Sequence, residues 1–201
     1  MNQVMVRIFG TFMVLMAVGT TVHGESVTSG FQVDKAEAFR TVDDLAQSAD
    51  LVIVGTVSSE VSHLRLKPSL SDELNDEQRE RLSSVSMPIS VTGVMADDVL
   101  KGRAELAGQR VDVMQFGGAG HGVFNADPVG VSHLLPDTRV VLFLSRYVDP
   151  RGNLADWYVI LGVEDGMMML DGDAISRPPG SESVLGDAPS TLEQLRLRFS
   201  R

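Results

Sequence analysis

The run Leu51-Val52-Ile53-Val54-Gly55-Thr56-Val57 is apolar at successive positions and dominated by β-branched side chains. Such a run is too short for a membrane span and reads as a strand covered on both faces. A second run, Val140-Val141-Leu142-Phe143-Leu144 within Arg139 to Ser145, makes the same demand. Val52, Val54, Leu142 and Leu144 are therefore expected in the core, and the fold is expected to be mainly β.

The remaining strands read less directly. Ile89-Ser90-Val91-Thr92-Gly93-Val94 alternates, runs on to Val99-Leu100 and turns at Lys101-Gly102. In Arg110 to Phe116 the apolar positions Val111, Val113, Met114 and Phe116 slip by one, which predicts a bulge. Trp157 to Gly162 and Met167 to Leu170 flank Glu164-Asp165-Gly166, a hairpin signal. Thr41 caps a short helix over Val42 to Ser48, with Asp43 and Asp44 in its first turn. Ser190-Thr191-Leu192-Glu193 is a capping box for a last helix that ends at Phe199. Residues 65–87 hold Pro68, several serines and a charged stretch with a thin apolar face, and read as an exposed insertion.

Ahead of these elements, Met1 to Gly24 has the three parts of a secretory signal. Arg7 precedes the apolar Ile8 to Val18, and Val22-His23-Gly24 places small residues before a cut at Glu25. The apolar segment is shorter than the ~20 residues of a membrane-spanning helix, and no second long run follows, so an integral membrane protein is not expected. The domain plan is then a signal peptide over 1–24, a flexible segment over 25–40 and a β domain over 41–177. A linker over 178–190 and a helix over 191–201 complete it. The expected location is secreted or extracytoplasmic. The formal net charge is −10, and only three lysines occur, Lys35, Lys67 and Lys101. A polyanion such as nucleic acid needs a basic footprint, so nucleic acid is not an expected partner. The chain has no cysteine, which excludes disulfides, thiolate metal sites and a cysteine nucleophile.

Five or six strands between short helices suggest a small closed or half-closed antiparallel barrel of five to seven strands. Ala49-Asp50-Leu51-Val52-Ile53-Val54-Gly55-Thr56-Val57 resembles the opening strand of a widespread type of uncharacterised secreted bacterial domain. Val99-Leu100-Lys101-Gly102, Val111-Asp112-Val113, a Gly-Gly loop and Val140 to Leu144 follow in the same order. That order is similar to the OB-like barrel of the tissue-inhibitor-of-metalloproteinase and netrin modules, over Ala49 to Gly172. Those inhibitors place an N-terminal cysteine on the protease metal, and this chain has none. The resemblance thus implies a fold and supplies no catalytic residue.

Motifs that carry chemistry are sparse. His63, His121 and His133 show neither a His-Glu-x-x-His pattern nor a pair at i,i+4, so no metal ligand is assigned. Gly130-Val131-Ser132-His133-Leu134 starts like a nucleophile elbow but has Leu134 where the sharp turn needs glycine. The acidic pairs Asp97-Asp98, Glu164-Asp165 and Asp171-Gly172-Asp173 read as turns or solvated positions. Gly117 to Gly122 lacks the Lys-Ser/Thr of a phosphate cradle, yet offers a flexible loop with Gly118, Gly120 and His121 as candidate binding residues. No catalytic residue and no cofactor are assigned. The expected function is a non-catalytic binding or interaction domain for an extracellular or cell-envelope protein or ligand. The alternatives are a hydrolase with a scattered His/Asp site and a module resembling a protease inhibitor.

Overall fold

A computed structural model describes residues 2–8, 12–18, 31–34, 39–66, 76, 80, 87–116, 133–148, 154–162, 165–179, 181 and 185–200. The fold is mainly β. Strands β1 (Asn2–Ile8), β2 (Phe12–Val18) and β3 (Phe31–Asp34) make a three-stranded antiparallel sheet. Helix α1 (Val42–Ser48) leads into β4 (Leu51–Leu66), and β5 (Met87–Lys101) returns along it. A short 3-10 turn, Ala104–Leu106, precedes β6 (Arg110–Phe116). Then come β7 (Arg139–Val148), β8 (Leu154–Ile160), β9 (Met167–Asp171), β10 (Ala174–Ser176) and helix α2 (Leu192–Phe199).

The second sheet has seven strands in the order β10-β9-β7-β4-β5-β6-β8, and β8 also pairs with β7. Strands β7, β4, β5, β6 and β8 thereby form a closed circuit of five. The pairings around this circuit are antiparallel as expected except one, because β6 and β8 are parallel. The reason is arithmetic: strand directions alternate around a ring only if the number of strands is even. A five-membered ring must contain a parallel pair, and here it is the short seam Asp112–Trp157, Val113–Tyr158 and Met114–Val159.

Burial explains why the two apolar runs are continuous. Leu51, Ile53, Leu142 and Leu144 pack with Val94, Val111, Val113, Tyr158 and Ile160 in one cluster. Val52, Val54, Val141 and Phe143 face the other way, against Val42 and Leu45 of α1 and Leu192 and Leu195 of α2. Each run thus serves two cores, and all four expected core residues are fully buried. A third cluster joins Ile89, Val91, Met114, Tyr147 and Val159, with the Tyr147 and Trp157 rings stacked at 6.2 Å. Burial on both faces also corrects the expected bulge in β6. Val113 and Met114 belong to different clusters, and the β5–β6 register runs from Ile89–Phe116 to Met95–Arg110 without a shift.

The irregularities lie elsewhere, between β4 and β5 at Val52/Ile53, Val54/Gly55 and Val57/Val61 and between β7 and β8 at Arg146/Val148. Gly55 sits at one of them, where a Cβ would stand 2.5 Å from the Met95 carbonyl oxygen. Only glycine lets the strands approach so closely. The hairpin expected around Glu164-Asp165-Gly166 is also corrected. Strands β8 and β9 do not pair with each other; both are antiparallel to β7, β8 along 144–148 and β9 along 139–142. The segment between them is an excursion from one nearly continuous edge partner of β7.

The helices begin close to where their caps predict. Thr41 Oγ1 accepts from the Asp44 N–H at 3.0 Å. At α2 the box is displaced by one residue: Thr191 Oγ1 accepts from the Gln194 N–H at 3.2 Å, and Gln194 Oε1 accepts from the Ser190 N–H at 3.0 Å. Lys101 closes the other end of α1, its Nζ donating to the carbonyls of Ala46, Gln47 and Ala49 at 2.7, 3.1 and 2.6 Å. A cation there satisfies carbonyls that the helix leaves open and complements its dipole.

Candidate functional site

Strand β4 changes character after Val57. Its first part is buried, and from Ser59 to Arg65 it is exposed. The change coincides with the largest register shift, in which Val57 pairs with Val94 but Val61 pairs with Thr92. Ser58, Ser59 and Glu60 form the bulge, and Ser58 Oγ accepts from the Glu60 N–H at 3.1 Å. Arg110 reaches over Gly93 to Glu60, while its Nε donates to Asp112 at 2.7 Å. A Cβ on Gly93 would lie 2.6 Å from that Nε, so glycine keeps the crossing open. Asp112 first, and Glu60 with it, raise the Arg110 guanidinium above its ordinary range.

Beyond the bulge a polar row crosses the sheet. Val94 and Ala96 of β5 point into the ring cluster, so Thr92 and Ser90 face the same way. They are 2% and 4% exposed. Ser90 pairs with Gln115 of β6 on one side and with His63 of β4 on the other. Directly paired residues share a face, so His63, Ser90 and Gln115 form one row at this end of the ring. Gln115 is buried, and its Oε1 accepts from the Leu134 N–H at 3.1 Å. His133, half-buried, immediately precedes that residue. The Ser90 and Thr92 hydroxyls have no side-chain partner among the described residues. A buried hydroxyl without a partner costs about 1–3 kcal/mol of desolvation, so these two are ready to receive a polar group.

The sequence-predicted binding residues Gly118, Gly120 and His121 lie outside the described residues. The chain enters their segment at Phe116, one residue after Gln115. Of the other histidines, the register brings His63 into the polar row, and His133 precedes Leu134, whose N–H donates to Gln115. Asp97 and Asp98 part company: Asp97 accepts from Arg139 Nε at 3.3 Å, and Asp98 from Arg196 at 2.8 Å. They are solvated ion-pair partners. Asp171 and Asp173 are exposed in the β9–β10 turn. Glu164 lies outside the described residues, but Asp165 is buried, contrary to its reading as a solvated turn residue. Among the described residues no three metal-ligating side chains come together.

Sequence reasoning missed the polar row because it depends on cross-strand register. A signal was nevertheless present: Ser90 and Thr92 occupy the inward phase set by Val94 in an alternating strand. Comparison with protein-family models, with curated proteins and with solved structures finds no match to this chain.

Proposed function

We propose that this chain is an exported, non-catalytic binding domain built on an OB-like five-stranded barrel, with its ligand received at the Ser90–Gln115 end. The observation that carries the reading is the buried, unpartnered hydroxyl pair of Ser90 and Thr92 among the described residues. An OB-like barrel agrees with a ring of five strands in which the first pairs with both the second and the fourth. Two further features favour this end. The segment with Gly118, Gly120 and His121 starts beside Gln115, and residues 67–86 start and finish at the neighbouring Leu66–Met87 pair. Donors and acceptors without charge suit a neutral polar ligand, and the acidic balance of the chain disfavours a polyanion. Export rests on the sequence features of Met1 to Gly24. Among the described residues β1 and β2 pair with each other and with β3, so removing that segment takes no strand from the seven-stranded sheet.

Thr92→Val tests the carrying observation without knowledge of the ligand. It keeps the side-chain shape and removes the hydroxyl. The expected result is a ligand-free domain more stable by about 1 kcal/mol in denaturant unfolding. A loss of stability instead would assign the hydroxyl a structural partner and remove the basis for the reading.

A further inference from the structure

The excursion between β8 and β9 is held shut at its base. Leu161 N–H donates to the Phe143 carbonyl at 3.0 Å, and Phe143 N–H to the Gly166 carbonyl at 2.8 Å. Gly166 N–H donates to the Leu161 carbonyl at 2.9 Å, and Asp165 N–H to the Gly162 carbonyl at 3.2 Å. These bonds fix Asp165 at one wall of a cavity of about 200 Å³. Met168, Ile175, Leu185 and Pro189 make much of the remaining lining. Arg177 also borders it, with its guanidinium donating to the Leu185 carbonyl.

Asp165 is only 6% exposed, and its carboxylate has neither an ion pair nor a hydrogen-bond partner among the described residues. A carboxylate withdrawn from water in this way calls for a cation or a set of donors. The surrounding side chains are mostly apolar, which favours an organic cation over a hydrated inorganic ion. The volume matches a ring-sized guest, since an apolar cavity of about 150 Å³ accepts benzene.

We propose that this cavity binds a small organic ammonium, its nitrogen on the Asp165 carboxylate and its apolar body against Met168, Ile175, Leu185 and Pro189. This site is separate from the polar row and stands without it. Its residues lie on the β9, β10 and 185–190 side of the sheet, whereas Ser90, Thr92 and Gln115 belong to β5 and β6.

Cyclohexylammonium and cyclohexanol, similar in shape and different in charge, are the probes. Each is titrated into the domain from Glu25 onward and into the full chain, with the Met168 methyl resonance as readout. The ammonium is expected to shift that resonance and to bind at least about tenfold more tightly than the alcohol. Asp165→Asn should abolish the preference, and Ala188→Leu, which fills the cavity from its rim, should weaken both probes. Equal affinity for the two probes, no binding of either, or an ammonium preference that survives Asp165→Asn each overturns the proposal. Should Asp165→Asn fail to fold, the probe comparison on the unaltered chain and on Ala188→Leu still decides.

Discussion

Strand β4 is two strands in one. From Leu51 to Val57 it is flanked by β5 and β7 and feeds two hydrophobic clusters. From Ser58 to Leu66 its partner among the described residues is β5, and Val61 and Leu64 are exposed at 37% and 41%. The backbone is extended throughout, so conformation does not separate the halves. What separates them is coverage: helices and β7 cover the first half, and a three-residue bulge carries the second half away from them. Residues in the first half are fixed by packing. Most of those in the second half are exposed and carry far less packing.

The largest expected effect comes from attacking coverage directly. Leu142→Ala, inside the ring, should cost about 3–5 kcal/mol in denaturant unfolding. Leu64→Ala on the distal half should stay within about 0.5 kcal/mol. Similar costs at the two sites would erase the contrast. A smaller effect belongs to the helical cover itself. Asp187 Oδ1 accepts from the Val42 N–H at 2.8 Å at the start of α1, and its Oδ2 accepts from Arg198 of α2 at 2.6 Å. Burial pushes the Asp187 carboxyl up, but Arg198 and the Val42 N–H together outweigh it and hold the group below its ordinary 3.8. A carboxyl depressed by folding stabilises fully above its unfolded value and loses that contribution as pH falls through the folded value. The covered half should therefore weaken in acid below about pH 4, and Asp187→Asn should flatten that part of the stability–pH curve. Thermal unfolding across pH 2–5 on both proteins checks the slope; an unchanged slope in the variant would detach the helices from this clamp. The smallest effect concerns the distal half. Leu66 pairs with Met87, so the ends of 67–86 are already adjacent. Replacing that segment by a two-residue turn should change stability by less than about 1 kcal/mol, because loop closure becomes easier. A large loss of unfolding cooperativity would mean that the segment covers the distal half.

What the sequence disclosed follows the same division. The covered half of β4, strand β7, and helices α1 and α2 were legible because continuous apolar runs and Thr caps are local signals. The β6–β8 seam was not, since it joins Asp112 to Trp157 through a ring closure that no local pattern encodes. The supposed bulge in β6 was a misreading of two-faced burial, which imitates a slipped period. Asp165 looks like a turn residue because Glu164-Asp165-Gly166 has hairpin chemistry; β7 pairs with both flanking strands instead, and Asp165 is buried. At the candidate site, Ser90 and Thr92 carried a readable phase, but His63 and Gln115 join them only through register.

The five-membered ring has one more consequence. Its parallel seam rests on three residue pairs, with slanted bonds that are slightly weaker per residue than antiparallel ones. The β4–β5 and β5–β6 joints are longer and antiparallel. The circuit is therefore joined by the fewest residue pairs between β6 and β8. Tyr158 belongs to that joint, and Gln115 lies one residue beyond Met114, its last pair on β6.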